Sequence, residues 1–156
     1  GARANPNIKA LFSDLGNSVE FPGNPWVPER TFIWILHEID PSWNLKVQNG
    51  ETIDPVLFAN GFLPRYFLMT GKMGFHSTWD PDIAPHGTVG QPALVRMATT
   101  GLMTHSIHTH GNHMFMIGEN AQPQVTIANK TVPEVIVRDT VNVPPLNTLD
   151  VIIPFQ

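Results

Sequence analysis

Four of the seven histidines in this 156-residue chain, His105, His108, His110 and His113, fall within nine consecutive positions of the segment GLMTHSIHTHGNHMFMIG at 101–118. Imidazole is the commonest metal-ligating side chain, so this crowding points first to a metal site. The spacing adds geometry, because side chains on an extended strand alternate between its two faces. His108 and His110 then share one face, while His105, an odd number of positions away, points to the other. One short strand can thereby serve two different sites. Neutral imidazole suits copper, zinc, iron and nickel alike, so ligand type by itself leaves the metal open.

Competing readings of the same residues fit less well. In His108-Thr109-His110-Gly111-Asn112-His113 an Asn stands where a metallo-hydrolase motif carries its Asp, and the helix-flanked α/β pattern of such enzymes is missing. A cupin would place Glu about four residues after His-x-His, where this chain has Met114, with Glu119 too far on. The other histidines are isolated: His37 ends an apolar run and is expected to be a structural histidine with its hydrogen bonds satisfied, while His76 and His86 belong to an irregular, solvated stretch. Six methionines between Met69 and Met116 read as adaptable core filling.

The elements that must position the histidines are short strands. Fifteen prolines and twelve glycines against 14% charged residues describe many turns between buried strands rather than long solvated helices. Residues 31–38 form a near-continuous apolar run, 65–70 and 91–98 follow, and the histidine strand continues beyond a kink at Gly111 into 114–117. Further strands are expected over 124–127, 134–138 and 148–155. Asp40-Pro41-Ser42-Trp43-Asn44 and Asn49-Gly50 are turn signals and predict, after the first strand, a loop with structure of its own. Seven or so such strands predict an all-β, two-sheet sandwich. Residues 1–29, with prolines at 6, 22, 25 and 28, are expected to be an arm or linker with a short helical turn over 8–15, and residues 30–156 the domain. Asn129-Lys130-Thr131 matches a glycosylation sequon in a turn.

A net charge of −4 without clustered Lys and Arg argues against a nucleic-acid surface, and no apolar stretch approaches the ~20 residues that span a bilayer. There is no cysteine, which removes disulfides and also the thiolate of a His2Cys blue-copper centre.

The histidine segment resembles the His-x-x-His-x-His-Gly-x-x-Phe stretch of the multicopper oxidases, the laccase-like family built from cupredoxin domains. The run Arg138-Asp139-Thr140-Val141-Asn142-Val143-Pro144-Pro145, followed by Leu149 onward to Phe155, is similar to that family's DTV-x-VPP strand pair. Upstream, the segment at 64–72, PRYFLMTGK, is similar to the strand preceding it, so the resemblance spans roughly 31–155. It implies a cupredoxin-like Greek-key β-sandwich lacking its last strand or strands in this chain. It also implies copper: His105 as a ligand of the mononuclear type 1 site, and His108 and His110 as ligands of the trinuclear type 2/type 3 cluster, where dioxygen is reduced. His113 takes an orienting rather than a ligating part, and Asp139 positions a neighbouring group or caps a turn.

The reaction so implied couples one-electron oxidation of a small-molecule or metal-ion reductant to four-electron reduction of dioxygen to water. The family's His-Cys-His segment is not in these residues. The resemblance therefore implies an oxidase only as part of a larger chain or complex, with a companion polypeptide or continuation supplying that segment and further cupredoxin domains. An extracytoplasmic location, periplasmic or secreted, follows from the family. The alternative reading is a non-enzymatic copper-binding or structural cupredoxin module.

Overall fold

The computed structural model describes residues 27–89, 91–123 and 136–155. The expected helical turn at 8–15, the strand at 124–127 and the sequon at Asn129 lie outside these residues.

Nine strands form the framework of the described chain. They are β1 (Thr31–Ile39), β2 (Tyr66–Met69), β3 (Pro92–Thr99), β4 (His105–His108), β5 (Met114–Glu119), β6 (Gln122–Pro123), β7 (Ile136–Arg138), β8 (Thr140–Val143) and β9 (Thr148–Pro154). The larger sheet runs β2-β1-β3-β9-β5, with β6 and β7 both pairing along the outer side of β5. Strands β4 and β8 form a separate two-stranded sheet. β1 and β3 are parallel, Trp34 opposite Met97, and β3 and β9 are antiparallel, Val95 opposite Val151. This is the two-sheet, all-β sandwich that the strand pattern predicts, and it agrees with the cupredoxin-like fold that the resemblance implies.

Alternation explains why each strand sits where it does. On β1 the even positions Phe32, Trp34 and Leu36 are buried, and on β3 the odd positions Ala93, Val95 and Met97 join them. Val141 and Val143 of β8 and Leu149, Val151 and Ile153 of β9 belong to the same apolar cluster, so the small sheet packs its inner face onto the large one. Burying such side chains contributes about 1.5–3 kcal/mol each, which is what holds a strand pair as short as β4 and β8 in place. Two polar bonds add direction: Trp34 Nε1 donates to the Ile83 carbonyl at 2.7 Å, and Thr99 Oγ1 to the Val143 carbonyl at 3.3 Å, tying β3 to β8.

The expected loop after β1 is instead helical. Helix α1 (Pro41–Gln48) starts at Asp40, whose side chain accepts from the Ser42 N–H, and α2 (Pro55–Gly61) starts at Asp54, which accepts from the N–H groups of Val56 and Leu57. Asp followed by Pro is an N-cap with proline at the first helical position, a start signal as well as a turn signal. A third, one-turn helix, α3 (Phe75–Thr78), follows β2. None of the described helices is long and apolar enough to cross a membrane.

Candidate metal centre

β4 carries His105 and His108 at its two ends, antiparallel to β8, with His105 opposite Val143 and His108 opposite Thr140. Burial alternates along it: His105 and Ile107 are half-buried, Ser106 and His108 exposed. The two histidines therefore leave the strand from opposite faces.

On the exposed face, His108 Nδ1 lies 2.9 Å from the Asp139 carbonyl and 2.8 Å from Thr140 Oγ1. A carbonyl oxygen only accepts, so Nδ1 carries the hydrogen and Nε2 of the neutral ring keeps its lone pair. Metal-ligating histidines are typically held this way, one nitrogen fixed by the protein and the other open. Asp139 acts here through its main chain, whose carbonyl also accepts from the Thr109 N–H at 2.9 Å.

Beyond His108 the chain leaves the sheet and turns. Thr109 Oγ1 donates to the Asn112 carbonyl at 2.7 Å, and Gly111 takes φ = 74°, a conformation that glycine adopts without the steric cost of a Cβ. His110 comes to rest against His108, with ring centroids 4.8 Å apart and planes inclined at 72°. His113 follows the turn and is exposed.

On the other face, His105 Nε2 lies 2.5 Å from Glu38 Oε1. The Glu38 side chain is 0% exposed and that of His105 14%. Leu102 N–H donates to the second carboxylate oxygen at 2.9 Å, and a Cβ at Gly101 would overlap the carboxylate. Glu38 drew no attention in the sequence, although the β1 alternation that buries Phe32, Trp34 and Leu36 puts position 38 on the same inward face. Thr140 was likewise legible only as part of a strand motif.

The remaining histidines stand apart from this region. His37 Nδ1 is buried and has no hydrogen-bond partner among the described residues, contrary to the expectation of a satisfied ring. His86 packs edge-on against Phe32 and bonds the Ala84 carbonyl. His76 lines an open surface cleft of about 620 Å³ with Phe75, Trp79 and the Lys72–Asp80 ion pair.

Among the described residues no three His, Asp or Glu side chains converge as a ligand group. The histidine segment supplies an adjacent pair on one face and a single imidazole on the other. In chemical kind this donor set fits copper, since imidazole nitrogen suits that metal and one nitrogen of His108 is already oriented. In number it is a partial set.

The two-sheet sandwich with histidines at the ends of one strand agrees with the cupredoxin-type domain that the resemblance implies. The multicopper oxidase family model matches residues 52–155, more than half of the chain, and the chain belongs to that family. Among solved structures it is similar to a blue copper oxidase from Nitrosomonas europaea, at 24% identity and TM-score 0.61 over 81% of this chain and 33% of that one. The multicopper oxidase mgLAC is similar at 20% identity and TM-score 0.59, again over 81% and 33%. A laccase from Botrytis aclada follows at 13% identity and TM-score 0.51, over 80% and 22%. The chain thus spans about a third of the length of the first two, and the likeness to all three is one of fold. The comparison with curated proteins gives no match.

Proposed function

We propose that this chain is the cupredoxin domain of a copper oxidase that couples one-electron oxidation of a small-molecule or metal-ion reductant to four-electron reduction of dioxygen to water. His108 and His110 present imidazoles to the trinuclear cluster, and His105 presents its ring to the type 1 site on the other side of β4. The observation that carries the reading is the pairing of the His108 and His110 rings at 4.8 Å, with His108 Nδ1 held by Asp139 and Thr140, on the face opposite His105. Family membership supports copper as the metal. Bound copper would supply one-electron redox chemistry and a site for dioxygen. The protein's own part is to fix the rings, leaving a lone pair of His108 open and separating the pair from His105 by the thickness of a strand.

The remaining ligands come from a companion polypeptide or a continuation carrying a His-Cys-His segment, with further cupredoxin domains. The β4–β8 sheet supports this reading, because among the described residues it has only two strands and an open edge on either side. An extended segment could add there, as strands do at open edges. By the family resemblance the oxidase works outside the cytoplasm.

The test is spectroscopic, on the copper-loaded assembly. His105→Ala is expected to remove the intense blue absorbance of thiolate-bound copper while leaving the trinuclear signals. His108→Ala and His110→Ala should do the reverse and abolish dioxygen uptake. Loss of blue colour in all three variants with an intact trinuclear cluster would contradict the assignment.

A further inference from the structure

We propose that Glu38 is the positioning residue of His105: its buried carboxylate holds the ring through Nε2–H and leaves Nδ1 as the nitrogen open to a metal. Glu38 lies outside the residues that the family model matches. It stands at the end of the inward face of β1, after Phe32, Trp34 and Leu36, where a carboxylate is costly unless its oxygens are bonded. Both are: Oε2 accepts from the Leu102 N–H at 2.9 Å and Oε1 faces His105 Nε2 at 2.5 Å. The bend between β3 and β4 is shaped around this group, because any side chain at Gly101 would displace it.

A carboxylate can only accept, so Nε2 carries the hydrogen and, in the neutral ring, Nδ1 carries the lone pair. His108 is fixed in the opposite sense, with Nδ1–H bonded and Nε2 open. Two histidines three positions apart are thus held in opposite tautomers by partners on different strands, β1 for His105 and β8 for His108. The tautomer claim stands on this geometry alone; only the identity of the ligand as copper rests on the proposed function.

The test reads the tautomer directly, by long-range proton–nitrogen correlation NMR of the metal-free protein. Wild-type His105 is expected to be a single Nε2–H form. Glu38→Gln offers one oxygen and one NH2. With the oxygen kept by Leu102 N–H, the NH2 faces the ring and needs an acceptor, so the His105 hydrogen should move to Nδ1. Gly101→Ala, which expels the carboxylate, should release the ring into a mixture of both forms.

An Nδ1–H form in the wild type, or variants indistinguishable from it, would overturn the proposal. In the copper-loaded assembly, Glu38→Gln is expected to weaken copper retention at His105 by about 10- to 100-fold, the usual effect of removing a ligand's supporting partner. A tautomer shift with copper retention at His105 unchanged would keep Glu38 as the residue that sets the tautomer and overturn its part in holding the ring for the metal.

Discussion

His108 and His110 lie edge to face with ring centroids 4.8 Å apart, although only His108 belongs to β4. The contact depends on the turn through Gly111, whose φ of 74° folds the chain back after Thr109. Replacing Gly111 with Ala puts a Cβ into the left-handed region, at a cost of roughly 1–2 kcal/mol. The expected outcome is a modest fall in stability and a larger loss of copper from the His108–His110 pair. Metal analysis beside a denaturation curve separates the two, and unchanged copper content would argue that the turn does not position His110.

Thr140 shares the hydrogen of His108 Nδ1 with the Asp139 carbonyl, at 2.8 and 2.9 Å. Thr140→Val keeps the strand shape and removes one of the two acceptors. Because the carbonyl remains, copper affinity at His108 is expected to fall by about tenfold, the low end for such supporting groups. The side chain is exposed, so thermal stability should barely change. A competition titration with a copper chelator measures the affinity, and an unchanged value would show that the carbonyl alone fixes the ring.

The core makes a separate prediction. Met114 is 0% exposed at the start of β5, immediately after the histidine turn. Met114→Ala removes its contacts with the shared core and is expected to destabilise the fold by about 2–5 kcal/mol. Urea denaturation of the two proteins checks this, and a difference under ~1 kcal/mol would mean that neighbouring side chains collapse into the space.

Asp40 sets the acid limit of the α1 start. The Ser42 hydroxyl, the Leu63 N–H and the Ser42 N–H all donate to its carboxylate and hold its pKa below the ordinary value. A carboxyl whose pKa is depressed by folding stabilises the native state fully above its unfolded pKa of about 4 and loses that contribution as the pH falls through the lower folded value. Asp40→Asn is therefore expected to flatten the stability profile below pH ~4. Melting temperatures across that range test it, and parallel wild-type and variant profiles would show that the group contributes nothing to acid sensitivity.

Much of this was legible in the sequence because it depended on neighbours along the chain. The apolar run at 31–38, the alternation at 91–98 and the apolar stretch at 148–155 located three central strands of the large sheet, and the His-x-x-His-x-His spacing assigned His105 and His108 to opposite faces. What was not legible depended on distant partners or on a signal with two meanings. Asp-Pro at 40–41 and 54–55 starts helices here, yet the same dipeptide also opens turns. The parallel pairing of β1 with β3 follows from long-range packing. Glu38 could have been found, since alternation alone put a carboxylate on a buried face, but its partner His105 lies 67 residues away.

The most direct test of the central claim is anomalous X-ray scattering at the copper edge from crystals of the assembled, copper-loaded oxidase. Copper is expected at two separate places, the trinuclear cluster against the open nitrogen of His108 and the adjacent His110 ring, and a single copper at His105 Nδ1 across β4. Copper absent from all three rings, or one copper bound by His105 together with His108, would contradict the account.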